Sequence, residues 1–154
     1  MPECKFCAIA RGELDARIVL DGEHTLAFLD HRPLFPGHVL LIPREHRETM
    51  LDAEPDLLAT LASDAQRLAR AMEEGLDAEG TFVAVNNRVS QSVPHLHVHV
   101  VPRRRKDGLR GFFWPRNPYR DEAHAEEVAD ALREALKKER RRKGRERTTG
   151  TEDD

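Results

Sequence analysis

Short apolar runs separated by turn residues open the chain: residues 17–20, 25–29 and 38–42, with Asp21-Gly22, Pro33 and Pro36-Gly37 between them. That spacing predicts an antiparallel β meander. Leu57, Leu58, Leu61, Ala65, Leu68, Ala69 and Met72 then recur at offsets of three and four, the period of one helix face. Pro55 suits the first turn of that helix and Gly75 its end. A further strand is expected over residues 81–85, followed by Asn86-Asn87 and a polar loop to Ser92. Residues 93–101 alternate strictly, which predicts a strand with His95, His97 and His99 on one face and Leu96, Val98 and Val100 on the other. Pro94 belongs at the beginning of that strand or on an edge, because it has no N–H for the ladder.

Past Pro102 the periodicity is lost. Residues 103–119 are basic, aromatic and interrupted by Gly and Pro, so they read as a loop. A second helix is expected over residues 121–140, with Val128, Leu132 and Leu136 as a sparse apolar stripe, and residues 141–154 as a disordered charged tail. Strands then a helix, twice over, predict an α+β domain with helices on one face of an antiparallel sheet. Its catalytic part would span residues 1–120, with the helix 121–140 belonging to the same domain.

A length of 154 residues fits one domain able to bury a core. No apolar run approaches the roughly 18–20 residues of a membrane span, and the N-terminus lacks the apolar stretch of a signal peptide. A cytoplasmic protein is therefore expected, in which two cysteines suit a metal better than a structural disulfide. The net charge of −3 averages two unlike parts: from Leu136 onward there are 8 Lys+Arg against 5 Asp+Glu, leaving 17 against 23 before it. The basic end reads as a solvated tail, and nucleic acid is not an expected partner. The unusual number is 8 His in one domain.

Two-residue spacing on a strand puts same-face side chains roughly 6–7 Å apart. A row of imidazoles suits metal binding or covalent phosphoryl and acyl chemistry. His95 and His99 would be too widely spread to converge easily on one ion, which favours phosphate chemistry. Cys4-Lys5-Phe6-Cys7 has the spacing of a zinc knuckle, and equally of a redox pair.

The run from Gln91 through Ser92, His95, His97 and His99 to Val101 resembles the signature of the histidine triad (HIT) family of nucleotide hydrolases and transferases. CKFCAIARGEL, AFLDHRPLFPGHVLLIPREH and the helix and Asn before the triad follow the family in order, so the likeness covers roughly residues 3–103. It implies a homodimer of the Hint/Fhit-like branch holding a nucleoside phosphate against the histidines. His97 would attack the α-phosphorus, oriented by the backbone carbonyl of His95, and form a nucleotidyl-histidine that water resolves. His38 and His99 would stabilise charge on the phosphate oxygens. Gln91 and Ser92 would hydrogen-bond the phosphate and the leaving group, with Ser92 placed to pass a proton. Asp30 would take the ribose hydroxyls, Phe6, Ile9 and Phe28 the base, and Asn86 the phosphate or sugar. The likeness also implies a structural Zn²⁺ on Cys4, Cys7, His46 and His95, and no catalytic metal.

Two positions bear on specificity. Ser90 stands where the family usually has Gly before the Gln, and His99 stands where the uridylyltransferase branch has Gln, which favours hydrolysis. The expected substrate is a nucleoside phosphoramidate or a dinucleoside polyphosphate, as for a diadenosine tetraphosphate (Ap4A) hydrolase, with an adenine nucleotide. A regulatory nucleotide-binding module with vestigial hydrolysis is the alternative. A purely structural zinc protein would leave His38, His97 and His99 without a role.

Overall fold

The computed structural model describes residues 3–110 and 116–149. Five strands, β1 (Ile18–Asp21), β2 (Thr25–Leu29), β3 (Val39–Pro43), β4 (Gly80–Val85) and β5 (Val98–Arg103), form one sheet in the order β1-β2-β3-β5-β4. All four pairings are antiparallel. With three helices, α1 (Lys5–Ala10), α2 (Pro55–Leu76) and α3 (Glu122–Thr149), the fold is α+β as the patterning predicts. The chain divides into two compact units, residues 1–109 and residues 110–154.

The sheet separates two apolar clusters. Ala27, Val39, Leu41, Val98 and Val100 on one face meet Leu61, Ala65, Leu68 and Met72 of α2. Leu26, Phe28, Leu40 and Ile42 on the other face meet Phe6 of α1. Strand β3 is therefore buried on both faces, which is why it reads as an unbroken apolar run rather than an alternating one. The expectation of helices on a single face is corrected by α1. Six residues are too few to show a helical period.

Three further boundaries differ from the sequence pattern. The predicted strand over 93–101 is shorter at its start, because β5 begins only at Val98. Leu96 N–H donates to Arg47 O (2.6 Å) and His95 N–H to Val93 O (2.8 Å), so this stretch pairs with loops instead of the ladder. Helix α2 passes Gly75 and stops at Leu76, where Asp77 takes the left-handed conformation (φ 52°) and Ala78 N–H closes on Met72 O. Helix α3 runs to Thr149, so residues 141–149 of the expected disordered tail are helical; residues 150–154 lie outside the described residues, as do 111–115. A charged helix needs no apolar period: Lys, Arg and Glu have good propensity, and Glu139–Lys143 (2.5 Å) and Arg142–Glu146 (3.9 Å) pair one turn apart. No described helix is long and apolar enough to cross a membrane.

Gly37 fixes how the chain enters β3. It sits at φ +101°, and a Cβ there would lie 2.5 Å from Leu76 Cδ1 and 3.2 Å from Pro102 Cγ. Only glycine adopts that backbone at no steric cost. Gly37→Ala should lower the unfolding free energy by about 1–2 kcal/mol, measured by denaturant titration. An unchanged midpoint would show that the turn relaxes freely.

Candidate functional site

The site lies on the α1 face of the sheet, where Phe28, Leu40 and His99 stand in register across β2, β3 and β5. Phe6 and Ile9 close over this row from α1, with the Phe6 ring edge-on to Phe28 at 5.4 Å and to His97 at 5.3 Å. Phe6, Ile9, Phe28, Asp30, Ser92, His97 and His99 line one cavity of about 1300 Å³. Seven of the expected site residues are thus brought together, and His38 stands directly behind them, buried and bonded to His99.

The imidazole protons follow from their partners. His97 Nδ1 lies 2.7 Å from His95 O, and a carbonyl only accepts, so Nδ1 carries the proton and Nε2 keeps a lone pair. Leu34 N–H donates to His38 Nδ1 (3.1 Å), which puts the His38 proton on Nε2. That N–H donates to His99 Nδ1 (3.0 Å), leaving the His99 proton on its own Nε2. The result is a chain of neutral donors from a backbone amide to the cavity. Burial pushes His38 below the usual imidazole range, partly opposed by Asp30. Burial, then the neighbouring His97 and His38, push His99 down to about 4.

Asp30 divides its carboxylate. Oδ1 accepts from Arg32 N (2.9 Å) and shapes the turn after β2, while Oδ2 stands 3.8 Å from His38 Nδ1. Asp30, His38 and His99 are close enough to share an ion. Both nitrogens of His38 are already engaged, so His38 and His99 read as a hydrogen-bond relay, with Asp30 beside it acting through its charge.

The side-chain amides of Gln91 and Asn86 make hydrogen bonds within the protein. Gln91 Nε2 donates to Glu48 O (2.6 Å) and its Oε1 accepts from Arg88 N (2.8 Å). Asn86 Nδ2 donates to Ser90 O (3.3 Å). Neither lines the cavity; both brace the loop that carries Ser92. In that loop Arg88 (φ 71°) and Ser90 (φ 61°) are left-handed, which accounts for glycine being the usual residue at the second position. Lys5, Arg17, His31 and Arg32 also line the cavity, and the sequence reading gave none of them a role. Scattered among unlike elements, they leave no motif to find.

A second cluster joins Cys4, Cys7, His46 and His95, whose donor atoms all lie within 4.8 Å of one another. His95 Nδ1 is 3.3 Å from Cys4 Sγ, 3.5 Å from Cys7 Sγ and 3.2 Å from His46 Nδ1, and Cys7 Sγ is 3.3 Å from His46 Nδ1. His95 Nε2–H donates to Pro43 O (2.9 Å), so its Nδ1 lone pair faces the group. Burial lowers the His95 pKa to about 4, which keeps the ring neutral, and raises that of the Cys7 thiol, with Cys4 adding to the rise. Two sulfur and two imidazole donors converging in this way can hold a metal ion.

The HIT domain model matches residues 11–106. An uncharacterized HIT-like protein of Mycobacterium tuberculosis is 40% identical over 139 residues, covering 86% of this chain and 92% of that protein. Adenylylsulfatase HINT3 of Arabidopsis thaliana is 31% identical over 109 residues, 70% of this chain and 55% of that one. Among solved structures, a Zn-bound histidine triad family protein from Mycobacterium smegmatis is 38% identical and superposes with a TM-score of 0.68, covering 84% of this chain and 97% of that one.

The depressed pKa of His99 makes stability pH-dependent. An unfolded imidazole titrates near 6.5 and the folded one at about 4, so between those values the unfolded state binds more protons. This contribution is fully present above pH 6.5 and is lost as the pH falls toward 4. Unfolding titrations across that range should show a falling midpoint, with a shallower slope in His99→Gln. An identical slope in the variant would refute the assignment.

Proposed function

The chain belongs to the HIT domain family, and from that premise we propose that it is a nucleotide-binding hydrolase that cleaves a nucleoside phosphoramidate or a dinucleoside polyphosphate at the α-phosphorus. The observation that carries this reading is the His97 Nδ1–H bond to His95 O, which leaves an unprotonated Nε2 at the cavity. A neutral imidazole so oriented is a competent nucleophile near pH 7.

Nε2 of His97 attacks the α-phosphorus, and the bond from phosphorus to the bridging nitrogen or oxygen breaks. The leaving group takes the electron pair and a proton from the Ser92 hydroxyl, which regains it from the water of the next step. Water then attacks the nucleotidyl-histidine, frees the nucleoside monophosphate and restores the imidazole. Charge building on the phosphate oxygens is met by His99 Nε2–H, whose donor character is fixed through His38 and the Leu34 amide. Phe6, Ile9 and Phe28 take the base, and Asp30 Oδ2 a ribose hydroxyl. Gln91 and Asn86 act through the loop they brace. As in the family, the working form is a homodimer.

The metal proposed for the second cluster is Zn²⁺. With Zn–N of about 2.0–2.1 Å and Zn–S of about 2.3 Å, tetrahedral geometry requires donor separations of roughly 3.3–3.8 Å; four of the six here are 3.2–3.5 Å, and all lie within 4.8 Å. The neutral His95 ring and the paired thiols suit that ion, and the Mycobacterium smegmatis relative is Zn-bound. A closed Cys₂His₂ site supplies a cross-link and no catalysis. Cys4 and Cys7 would hold it on the α1 side, with His46 after β3 and His95 before β5.

Replacing His97 by Ala should reduce turnover at least about a thousandfold while nucleotide affinity is kept. An α-labelled substrate should leave an acid-labile label on the wild type alone. Full activity in the variant would rule out the nucleophile, and binding without any label would favour the regulatory module. Purified without chelators, the protein should carry near-stoichiometric zinc, lost together with thermal stability in Cys4→Ser. Metal analysis showing no zinc would sink that assignment.

A further inference from the structure

The C-terminal half of α3 takes no part in the chemistry proposed above, and residues 137–148 are exposed apart from the half-buried Glu139. Residues 137–147 hold 8 Lys+Arg against Glu139 and Glu146. As a disordered tail this run would have no faces, but as a helix it sorts its charges. Glu139 and Glu146 stand two turns apart on one line of the surface, where they pair with Lys143 (2.5 Å) and Arg142 (3.9 Å). Lys137, Arg141 and Arg145 recur every four residues on the side away from them, with Lys138 alongside, and no carboxylate of this half interrupts that face. Lys137 reaches back to Glu134 (3.0 Å), whereas Lys138 and Arg141 have no ion-pair partner among the described residues. Toward its N-terminus the helix turns acidic, with Glu122, Glu126, Glu127, Asp130 and Glu134 against Arg133 alone in residues 122–134. A polyanion is thereby confined to the C-terminal turns.

We propose that this basic face of α3 binds duplex DNA through its phosphate backbone. A helix with its side chains is about 10–12 Å across and the major groove of B-form DNA about 12 Å wide, so cations on one face of the helix can follow the phosphates along the groove and release their counterions. The deep, narrow major groove of duplex RNA does not admit them. Single strands are held by stacking on aromatic rings, and residues 122–149 contain no Phe, Tyr or Trp. A helix that lies on an anionic membrane buries an apolar face, and residues 137–149 contain no hydrophobic residue. Contacts made to phosphates alone carry no sequence preference. The site is separate from the histidine cavity and independent of the hydrolase reading.

The test is fluorescence anisotropy of a labelled duplex DNA of roughly 20 bp with the full-length protein. Binding is expected at about 50 mM NaCl and should weaken about a hundredfold or more by about 200 mM, because four or five neutralised phosphates give a log–log salt slope of about −4. Lys138→Glu/Arg141→Glu/Arg145→Glu should weaken it by at least about a hundredfold at the lower salt with the circular dichroism unchanged, and Arg141→Lys should retain it. Glu139→Pro keeps every cation and removes a carboxylate but breaks the helix, and should weaken binding at least about fivefold. No binding at the lower salt overturns the proposal. Undiminished affinity in the triple variant places the contact elsewhere, and undiminished affinity in Glu139→Pro shows that an unfolded polycation suffices; either overturns the helical face. Tighter binding to duplex RNA, to a single strand or to phosphatidylserine vesicles would give the surface to that partner and overturn the assignment to DNA.

Discussion

A single hydrogen bond, from His97 Nδ1–H to the backbone carbonyl of His95, decides which nitrogen of the central histidine is free. Much of the surrounding structure holds that carbonyl in place. The His95 ring is fully buried, its Nε2–H is tied to Pro43 O, and its Nδ1 joins Cys4, Cys7 and His46. Its N–H reaches Val93 O, and the next amide, Leu96 N–H, reaches Arg47 O. One residue thus serves the metal cluster with its side chain and the reactive histidine with its main chain. The chain leaves the sheet ladder here so that both can be done.

The two faces of the sheet bear unequal demands. Against α2 the contacts are apolar apart from one buried hydrogen bond, Thr25 Oγ1–H to Asp64 Oδ2 (2.6 Å), and that face supplies the hydrophobic burial that dominates folding. Against α1, buried imidazoles displace what would otherwise be core. Polar groups in that position are costly unless their hydrogen bonds are made, and among the described residues no buried side-chain nitrogen or oxygen lacks a partner. Meeting that requirement also sets the tautomers of His38, His97 and His99. The chemistry of the site is in this sense a by-product of satisfying its burial. Low pKa values at His95 and His99 follow from the same burial, keeping both rings neutral.

Several residues were legible in the chain because their spacing survives folding. The apolar period of α2, the histidine alternation, the CxxC pair and the blocks around Asp30, His38 and His46 led to the fold and to both clusters. Others were not. Helix α1 is shorter than two turns, so it shows no period, yet it brings Phe6 and Ile9 over the cavity. The alternation through Val93, Pro94 and His95 reads as strand, but His95 N–H turns back to Val93 O and Leu96 N–H goes to Arg47 O. Gln91 carries a substrate-binding pattern, and its amide is taken by Glu48 and Arg88. Lys5, Arg17 and Arg32 meet at one cavity from separate elements.

The sequence by itself determined the residue types, their order and their periods. Those suffice for an antiparallel α+β sheet, for a histidine row and for a pair of thiols with histidines to join them. Only the tertiary structure decided which nitrogen of His38, His95, His97 and His99 bears its proton, because that depends on donors and acceptors whose position and direction are set by packing. It likewise decided that Gln91 braces a loop and that residues 141–149 continue a helix. Hydrogen bonds and ion pairs are directional and close over short distances. A linear pattern records which groups are available, and the folded chain assigns each to its partner.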